Sequence, residues 1–244
     1  METLTVRLLP YAVADGPHNM AADEALLESA VGGVASLRFY EWAEPTLSLG
    51  YFQPAALRES NPTVATLPFV RRPTGGDALV HHFELTYALA LPPGPAWQGG
   101  EPWLVRMHRY VAAALARLGV PATQHGGKGA ATDSLLCFAH PTAGDVMLGG
   151  AKVVGSAQRR RRGALLQHGS ILLGRSPFAP SLAGLEDLIG RTLDANELME
   201  TVVAELSAEL DWRLSRAEWT SPETSIVDSL VQMRYSQDGW NRKR

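Results

Sequence analysis

Residues 69–91 read FVRRPTGGDALVHHFELTYALAL, two apolar runs separated by a pair of glycines. The turn chemistry of residues 74–77 favours a sharp reversal, so this stretch predicts a β-hairpin. Further strand-like runs lie at 4–9, 36–42, 46–52, 135–138, 145–148, 151–158 and 163–173. The middle of the chain is therefore predicted to be rich in β-structure.

Helical patterns surround these strands. Asn19 is a plausible cap for a helix over 19–31, and an amphipathic pattern predicts a second helix over 103–118. Asp194, with Glu197 three residues on, predicts a helix to about residue 210, and Ser221-Pro222 opens a final one. A surface loop is expected at 125–134. The predicted fold class is α+β, a mixed or antiparallel sheet flanked by helices with a helical C-terminal end.

Composition limits the possible functions. Of the 244 residues, 45% are hydrophobic and 19% are charged, which is typical of a folded domain. We expect a single domain over 1–244, with a core at about 19–215 and a helical extension at about 216–244. A net charge of −3 argues against a nucleic-acid-binding protein. The absence of a signal peptide or a membrane-spanning apolar run predicts a cytoplasmic protein without membrane partners.

The RRPTGG segment at 71–76 has two possible interpretations. Arginine side chains bind carboxylates or phosphates, and glycines let a ligand approach the backbone closely. The alternative is a surface turn with solvated arginines. His81 and His82 are adjacent on a predicted strand and point to opposite faces, so they are not expected to share a metal ion. We predict no metal site, and His81 as a hydrogen-bonding group in a pocket.

Cys137 is the only cysteine, which excludes an intramolecular disulfide and a cysteine-based zinc site. A lone cysteine is most often a small buried hydrophobe. Alternatively, Lys152 across a predicted hairpin stabilises its thiolate and makes it a nucleophile. The run of four arginines at 159–162 is either a solvated edge or a docking site for an acidic partner.

Several segments together resemble the lipoate–protein ligase A and octanoyltransferase family, which shares a catalytic domain with biotin protein ligases. They are RFYEW (38–42), TLSLGYFQ (46–53), FVRRPTGGDALVHHFELTYA (69–88), LLCF (135–138), GAKVVGSAQRRRRGALLQHGSILL (150–173) and GWNRKR (239–244). Within the group the pattern is most similar to the LipM-type octanoyltransferases. Its ATP-dependent ligases lack the cysteine and usually carry an additional C-terminal domain, for which this chain looks too short.

This resemblance implies a function. Enzymes of the LipM type move an octanoyl group from acyl carrier protein to the lysine of a lipoyl domain such as glycine cleavage protein H. The resemblance implies that Cys137 is the nucleophile and that Lys152 is the lysine that lowers its pKa. It implies no cofactor, and we expect a monomer. The substrate-binding residues that we predict are Arg72, Gly75, Gly76, His81, Gly155, Ser156, Ala157 and His168.

Three other functions remain open from the sequence. An ATP-dependent lipoate–protein ligase would keep its activity without Cys137. A lipoyl-domain amidotransferase would use the same cysteine with a different donor. A non-catalytic scaffold that binds lipoyl domains would keep Cys137 buried and unreactive.

Overall fold

The computed structural model describes residues 3–127 and 135–244, so most of the loop predicted at 125–134 lies outside the described residues. The strands are β1 Leu4–Leu8, β2 Ala12–Ala14, β3 Ala35–Trp42, β4 Thr46–Leu49, β5 Phe69–Arg71, β6 Leu79–His81, β7 Glu84–Leu91, β8 Thr123–Gln124, β9 Val146–Leu148, β10 Ala151–Arg161, β11 Ala164–Leu172 and β12 Trp212–Arg216. The helices are α1 Gly16–Val31, α2 Ala56–Glu59, α3 Pro62–Ala65, α4 Pro95–Gln98, α5 Trp103–Arg117, α6 Leu185–Ile189, α7 Ala195–Glu209, α8 Ser221–Leu230 and α9 Asp238–Asn241.

The larger sheet has the strand order β12-β1-β3-β7-β11-β10-β9-β8, with β2 paired to β3. The pairs β12–β1 and β1–β3 are parallel. Every later pair in this order, from β3–β7 to β9–β8, is antiparallel. The predicted α+β class with a mixed sheet is therefore confirmed. Because β12 pairs with β1, residues 212–216 join the sheet, although the sequence predicted only helices after about residue 181.

Both faces of this sheet are covered by helices. β7 and β11 are buried along their whole length, so they enclose both apolar side chains and polar ones such as Glu84 and Gln167. One face packs on α5 and α7 through a large apolar cluster that includes Leu89, Met107 and Leu206. The opposite face packs on α1, where Leu26 and Ala88 share a second cluster.

The prediction of a β-hairpin with its turn at residues 74–77 is wrong. In a separate three-stranded sheet, β4 lies between β5 and β6 and pairs with both, so β5 and β6 do not pair with each other. The connection between them instead wraps around the Arg72 guanidinium, which donates to the carbonyls of Gly75 and Asp77. The second apolar run is divided, since β6 belongs to the small sheet and β7 to the large one.

The structure also changes the predicted bounds of two helices and the predicted strand at 135–138. Helix α1 begins three residues earlier than predicted because the Asp15 carboxylate, not Asn19, accepts a hydrogen bond from the backbone N–H of His18. Residues 135–138 do not form a strand; Cys137–Ala139 is a single 3₁₀ turn, preceded by one isolated bridge from Leu136 to Ala78. Helix α8 begins at Ser221, which places Pro222 at its second position. The helices predicted at 103–118 and after Asp194 are confirmed.

The C-terminal segment packs against the centre of the molecule. The side-chain amide oxygen of Asn241 accepts a hydrogen bond of 2.9 Å from the backbone N–H of Arg71. Tyr235, fully buried, donates from its hydroxyl to the Glu24 carboxylate on α1. A π-helical turn at Val231–Tyr235 connects α8 to α9.

Candidate active site

A cavity of about 180 Å³ lies where the small sheet meets the large one. Its walls come from both sheets (β3, β7, β10 and β11 of the large one, β4 and β6 of the small one), α1, the connection at 72–77, the 3₁₀ turn and the 140–145 loop. The lining includes all but one of the predicted site residues: Arg72, Gly76, His81, Cys137, Lys152, Gly155, Ser156, Ala157 and His168. Gly75 is not part of the lining; its carbonyl accepts a hydrogen bond from Arg72 instead.

Cys137 occupies the first position of the 3₁₀ turn, where it is partly exposed. Its backbone N–H donates to the Ala78 carbonyl at 2.9 Å, which fixes the turn against the end of the RRPTGG connection. Phe138, the next residue, is buried and also lines the cavity. The cysteine is therefore held at a defined place in the cavity wall.

Lys152 lies beside Cys137, as the sequence predicted, but not through a hairpin that contains both residues. The hairpin is formed by β9 and β10, and Cys137 lies outside it. The ammonium nitrogen of Lys152 donates to the Cys137 carbonyl oxygen at 3.3 Å. Its closest counter-ion is Asp145, whose Oδ2 lies 2.8 Å from Nζ, and both side chains are more than nine-tenths buried.

Burial is the main influence on the Cys137 thiol, and it raises the pKa. The positive charges of Lys152 and Arg72 lower that pKa in part, whereas Asp145 and Asp77 raise it further. The net pKa remains above the ordinary value, so the thiol form is favoured over the thiolate at neutral pH. Lys152 thus offsets a burial penalty without removing it.

The two arginines of the RRPTGG segment are buried and bind backbone carbonyls. Arg71 donates to the carbonyls of Gly50 and Gln53 at 2.8 and 2.7 Å. Arg72 donates to Gly75 and Asp77 at 2.8 and 2.7 Å. Neither is a solvated surface arginine, and both hold the connection that borders the cavity in shape. Only Arg72 also lines the cavity.

His81 is held by partners on both ring nitrogens. Nδ1 lies 2.7 Å from the Glu84 carboxylate and Nε2 lies 2.8 Å from the Ser48 hydroxyl. The ring stacks on Trp42 with 3.7 Å between the centroids. Burial lowers the pKa of His81, and the negative charge of Glu84 opposes this effect. His82 lies beyond the end of β6, not on the strand as predicted, and its ring contacts Ser176 instead of the cavity.

His168 is similarly fixed. Its Nδ1 lies 2.8 Å from the carboxylate of Asp23, and its Nε2 lies 2.7 Å from the Thr74 hydroxyl. Asp23 also accepts hydrogen bonds from Arg38 and Tyr40. Burial raises the pKa of the Asp23 carboxyl, but Arg38, His168 and Tyr40 outweigh it and the pKa lies below the ordinary value. Asp23 is therefore a buried carboxylate.

The GSA residues, 155–157, contribute differently to the site. A side chain at Gly155 would place its Cβ 2.6 Å from Cε of Lys152, so the glycine leaves room for the lysine. Ala157 pairs with His168 across the sheet. The Ser156 hydroxyl lies 2.7 Å from the Tyr87 hydroxyl and 2.5 Å from Nε2 of His108. Ser156 therefore connects the cavity wall to α5.

This geometry can be compared with known proteins. A family model described as the lipoyl protein ligase A/B catalytic domain matches residues 15–218. The chain belongs to this family. An octanoyltransferase LipM of Moorella thermoacetica is 40% identical over 274 residues, with 100% of both chains covered. One from Symbiobacterium thermophilum is 34% identical over 269 residues, with 98% of each chain covered.

The fold agrees with solved members of the lipoyl protein ligase A/B family. A crystal structure of lipoate-protein ligase A bound with ATP superimposes with a TM-score of 0.78 at 23% identity, covering 98% of this chain and 99% of that one. A bi-partite lipoate protein ligase from Thermoplasma acidophilum gives a TM-score of 0.73 at 22% identity, covering 98% and 96%. At this level of identity the likeness establishes the fold.

Sequence reasoning missed several polar residues of this lipoyl protein ligase A/B site. Asp145 and His108 belong to no motif, and tertiary structure alone brings them to the cavity region. Nδ1 of His108 lies 2.7 Å from the carbonyl of Gly144, next to Asp145. Burial lowers the pKa of His108 to about 4, so the imidazole is neutral at pH 7. A neutral ring whose Nδ1 donates to a carbonyl accepts the Ser156 proton at Nε2.

The described residues contain neither a metal-binding cluster nor a membrane-spanning helix. Across 3–127 and 135–244, no group of three His, Cys, Asp or Glu side chains is arranged to hold a metal ion. Within the same ranges, no helix combines the length and the apolar character needed to cross a membrane.

Proposed function

We propose that this chain is an octanoyltransferase of lipoate biosynthesis, which transfers an octanoyl group from acyl carrier protein to the lysine of a lipoyl domain such as glycine cleavage protein H. Octanoyltransferases LipM that align over 98–100% of this chain support octanoyl transfer. The observation that carries the mechanism is the position of Lys152. Its ammonium group lies 3.3 Å from the Cys137 carbonyl, in the same cavity as the only thiol.

The proposed reaction has two steps. In the first, Cys137 loses its proton and its thiolate attacks the donor thioester; as the octanoyl-cysteine forms, the carrier leaves as a thiolate and takes up the proton that Cys137 lost. In the second, the neutral amine of the acceptor lysine attacks this thioester, an amide forms, and the Cys137 sulfur leaves and recovers a proton. Thioester conversion to amide is favourable, so the route requires no ATP.

The remaining site residues receive roles that follow from their contacts. Lys152 offsets the burial of the thiolate, and its ammonium group donates to the backbone carbonyl of the same cysteine. The other proposed binding residues border the cavity that would receive the acyl group: Arg72, Gly76, His81, Gly155, Ser156, Ala157 and His168. Gly75 would act indirectly, by accepting the Arg72 hydrogen bond that shapes the turn.

We also propose that the chain works as one catalytic domain, with a core at about 19–215 and an extension at about 216–244. The hydrogen bonds between Asn241 and Arg71 support a single cooperative unit. A monomeric state and a cytoplasmic location stay predictions.

The test is mass spectrometry of the protein after mixing with octanoyl-acyl carrier protein. We expect an octanoyl adduct on Cys137 that disappears when a lipoyl domain is added, and no adduct on Cys137→Ser. The unfolding temperature of Cys137→Ser serves as the folding control. If wild type forms no adduct and acylates a lipoyl domain only with ATP and free octanoate, the chain is a ligase and the proposal fails.

A further inference from the structure

Cations from two distant parts of the chain meet around one aromatic side chain, Tyr51. Arg159 comes from the exposed end of β10, and its guanidinium carbon lies 5.4 Å from the centroid of the Tyr51 ring. Lys243 and Arg244 come from the C-terminal segment and lie 3.6 and 5.4 Å from the same centroid. We call Tyr51, Phe52, Arg159, Lys243 and Arg244 the Tyr51 basic surface.

The charge of this surface is not neutralised within the part of the chain that the structure describes. There, no carboxylate oxygen lies within 4 Å of a cationic nitrogen of Arg159, Lys243 or Arg244, whereas the neighbouring Arg161 and Arg242 each have carboxylate partners. Hydrogen bonding to Lys243, together with the nearby positive charges, lowers the pKa of the Tyr51 phenol. Positive charge therefore accumulates here instead of being paired.

The Tyr51 basic surface borders the entrance to the cavity. The backbone N–H of Tyr51 donates to the Thr74 carbonyl at 2.8 Å. Phe52, which is 67% exposed, lies 3.9 Å from the position that a Cβ at Gly75 would occupy. The next two residues, Gly76 and Asp77, are exposed and line the cavity, so the cavity opens beside this surface.

We propose that the Tyr51 basic surface is the docking site for the acyl-carrier donor, an inference that rests on the proposed function. The donor is an acidic protein, and its acyl arm begins with an anionic phosphodiester, so its charge complements Arg159, Lys243 and Arg244. The exposed Phe52 adds an apolar contact at the centre. The donor arm then enters the cavity at Gly76 and Asp77.

The experiment compares two donors on a charge-reversed variant, Arg159→Glu/Arg244→Glu. At low salt, the KM for octanoyl-acyl carrier protein should rise roughly tenfold with kcat nearly unchanged, and the rise of KM with salt seen in wild type should disappear. The acylation rate of Cys137 by octanoyl-N-acetylcysteamine, a small neutral thioester, should change less than twofold. Arg213→Glu, an exposed charge reversal on β12, is the matched control and should leave both donors unaffected.

Ultraviolet titration provides a readout without any donor. Because Arg244 and Arg159 contribute to the lowered pKa of Tyr51, the double variant should raise it. An unchanged donor KM, an equal effect of Arg213→Glu, or a raised KM for the lipoyl domain alone would each overturn the docking proposal. Failure of octanoyl-acyl carrier protein to acylate wild-type Cys137 would instead refute the proposed function.

Discussion

At the scale of single residues, the ion pair between Lys152 and Asp145 modifies the pKa that burial raises at Cys137. Asp145 binds the lysine at 2.8 Å, and it also accepts hydrogen bonds from the backbone and hydroxyl of Thr142. The carboxylate thus positions Lys152 but opposes ionisation of the thiol, because its negative charge raises the pKa of Cys137. The two charged neighbours act on the same sulfur with opposite signs.

Opposite substitutions should therefore change thiol alkylation in opposite directions. Lys152→Ala removes a positive charge, so the pKa of Cys137 should rise and the alkylation rate by iodoacetamide at pH 7.5 should fall severalfold. Asp145→Asn removes the opposing negative charge and should increase that rate severalfold. Rates measured from pH 6 to pH 10 give the thiol pKa for each variant.

Asp145→Asn could instead lower the alkylation rate. That result would show that the main contribution of Asp145 is to hold Lys152 near the cysteine, and the predicted sign would be wrong. Asp194→Asn, at the distant cap of α7, is a matched control that should leave the thiol unaffected.

The residues of the site differ in how far the sequence could predict them. Cys137 and Lys152 belong to segments with a recognisable family pattern, so their pairing was expected, and the structure places them side by side. Asp145 and His108 had no such signal. An aspartate before a short strand, or a histidine within an amphipathic helix, can have many structural roles. Only the tertiary contacts of Asp145 with Lys152 and of His108 with the Gly144 carbonyl show that both belong to the site.

At the scale of elements, the small sheet depends on a close backbone approach. Gly50 follows β4, and a Cβ on it would lie only 1.8 Å from the carbonyl oxygen of Gly76. The Gly50 carbonyl also accepts a hydrogen bond from Arg71. The connection at 74–77 can fold over β4 only because residue 50 has no side chain.

Gly50→Ala should destabilise the protein by about 1–3 kcal/mol, the usual cost of forcing extra atoms into a packed site. It should also slow acylation of Cys137, because the displaced turn borders the cavity. Urea unfolding and the acylation rate are the two measurements. Gly99→Ala is the control, since no atom lies within 4 Å of a Cβ there. Equal stability of the two variants would refute the argument.

The elements also explain why the hairpin prediction failed. Apolar runs with a glycine turn between them are typical of hairpins, and sequence periodicity carries no information on which strand comes between them. Here β4, some twenty residues upstream, pairs with both neighbours. By contrast, β9 and β10 are adjacent in the sequence, and they pair directly across the turn at Gly149 and Gly150. The prediction for 69–91 failed because β5 and β6 each pair with the distant β4 and not with each other.

At the scale of the whole molecule, Glu223 ties the two ends of the chain together. It accepts hydrogen bonds from Arg7 on β1 and Ser29 on α1, and it caps α8 together with Thr220. Burial alone would raise the pKa of Glu223, but these hydrogen bonds outweigh it and lower the pKa to about 2. The carboxylate therefore stabilises the fold in its ionised form.

The sign of the pH dependence follows from this lowered pKa. The stabilisation is complete above the ordinary pKa of 4.5 and is lost as the pH falls towards about 2. We expect Glu223→Gln to lower the free energy of unfolding by roughly 2–3 kcal/mol at pH 6, and by much less at pH 3. Urea unfolding at both pH values is the measurement. Glu218→Gln, at an exposed position, is the control; a difference independent of pH would contradict the prediction.

The raised pKa of the Cys137 thiol also affects how the protein survives oxidants. Peroxides attack thiolates much faster than thiols, and a cysteine oxidised beyond the sulfenic acid is seldom recovered. The buried setting that raises the pKa of this thiol therefore limits irreversible loss of the only sulfur nucleophile between turnovers. The same balance of burial and charge therefore sets both the resistance of Cys137 to oxidation and its reactivity towards a thioester.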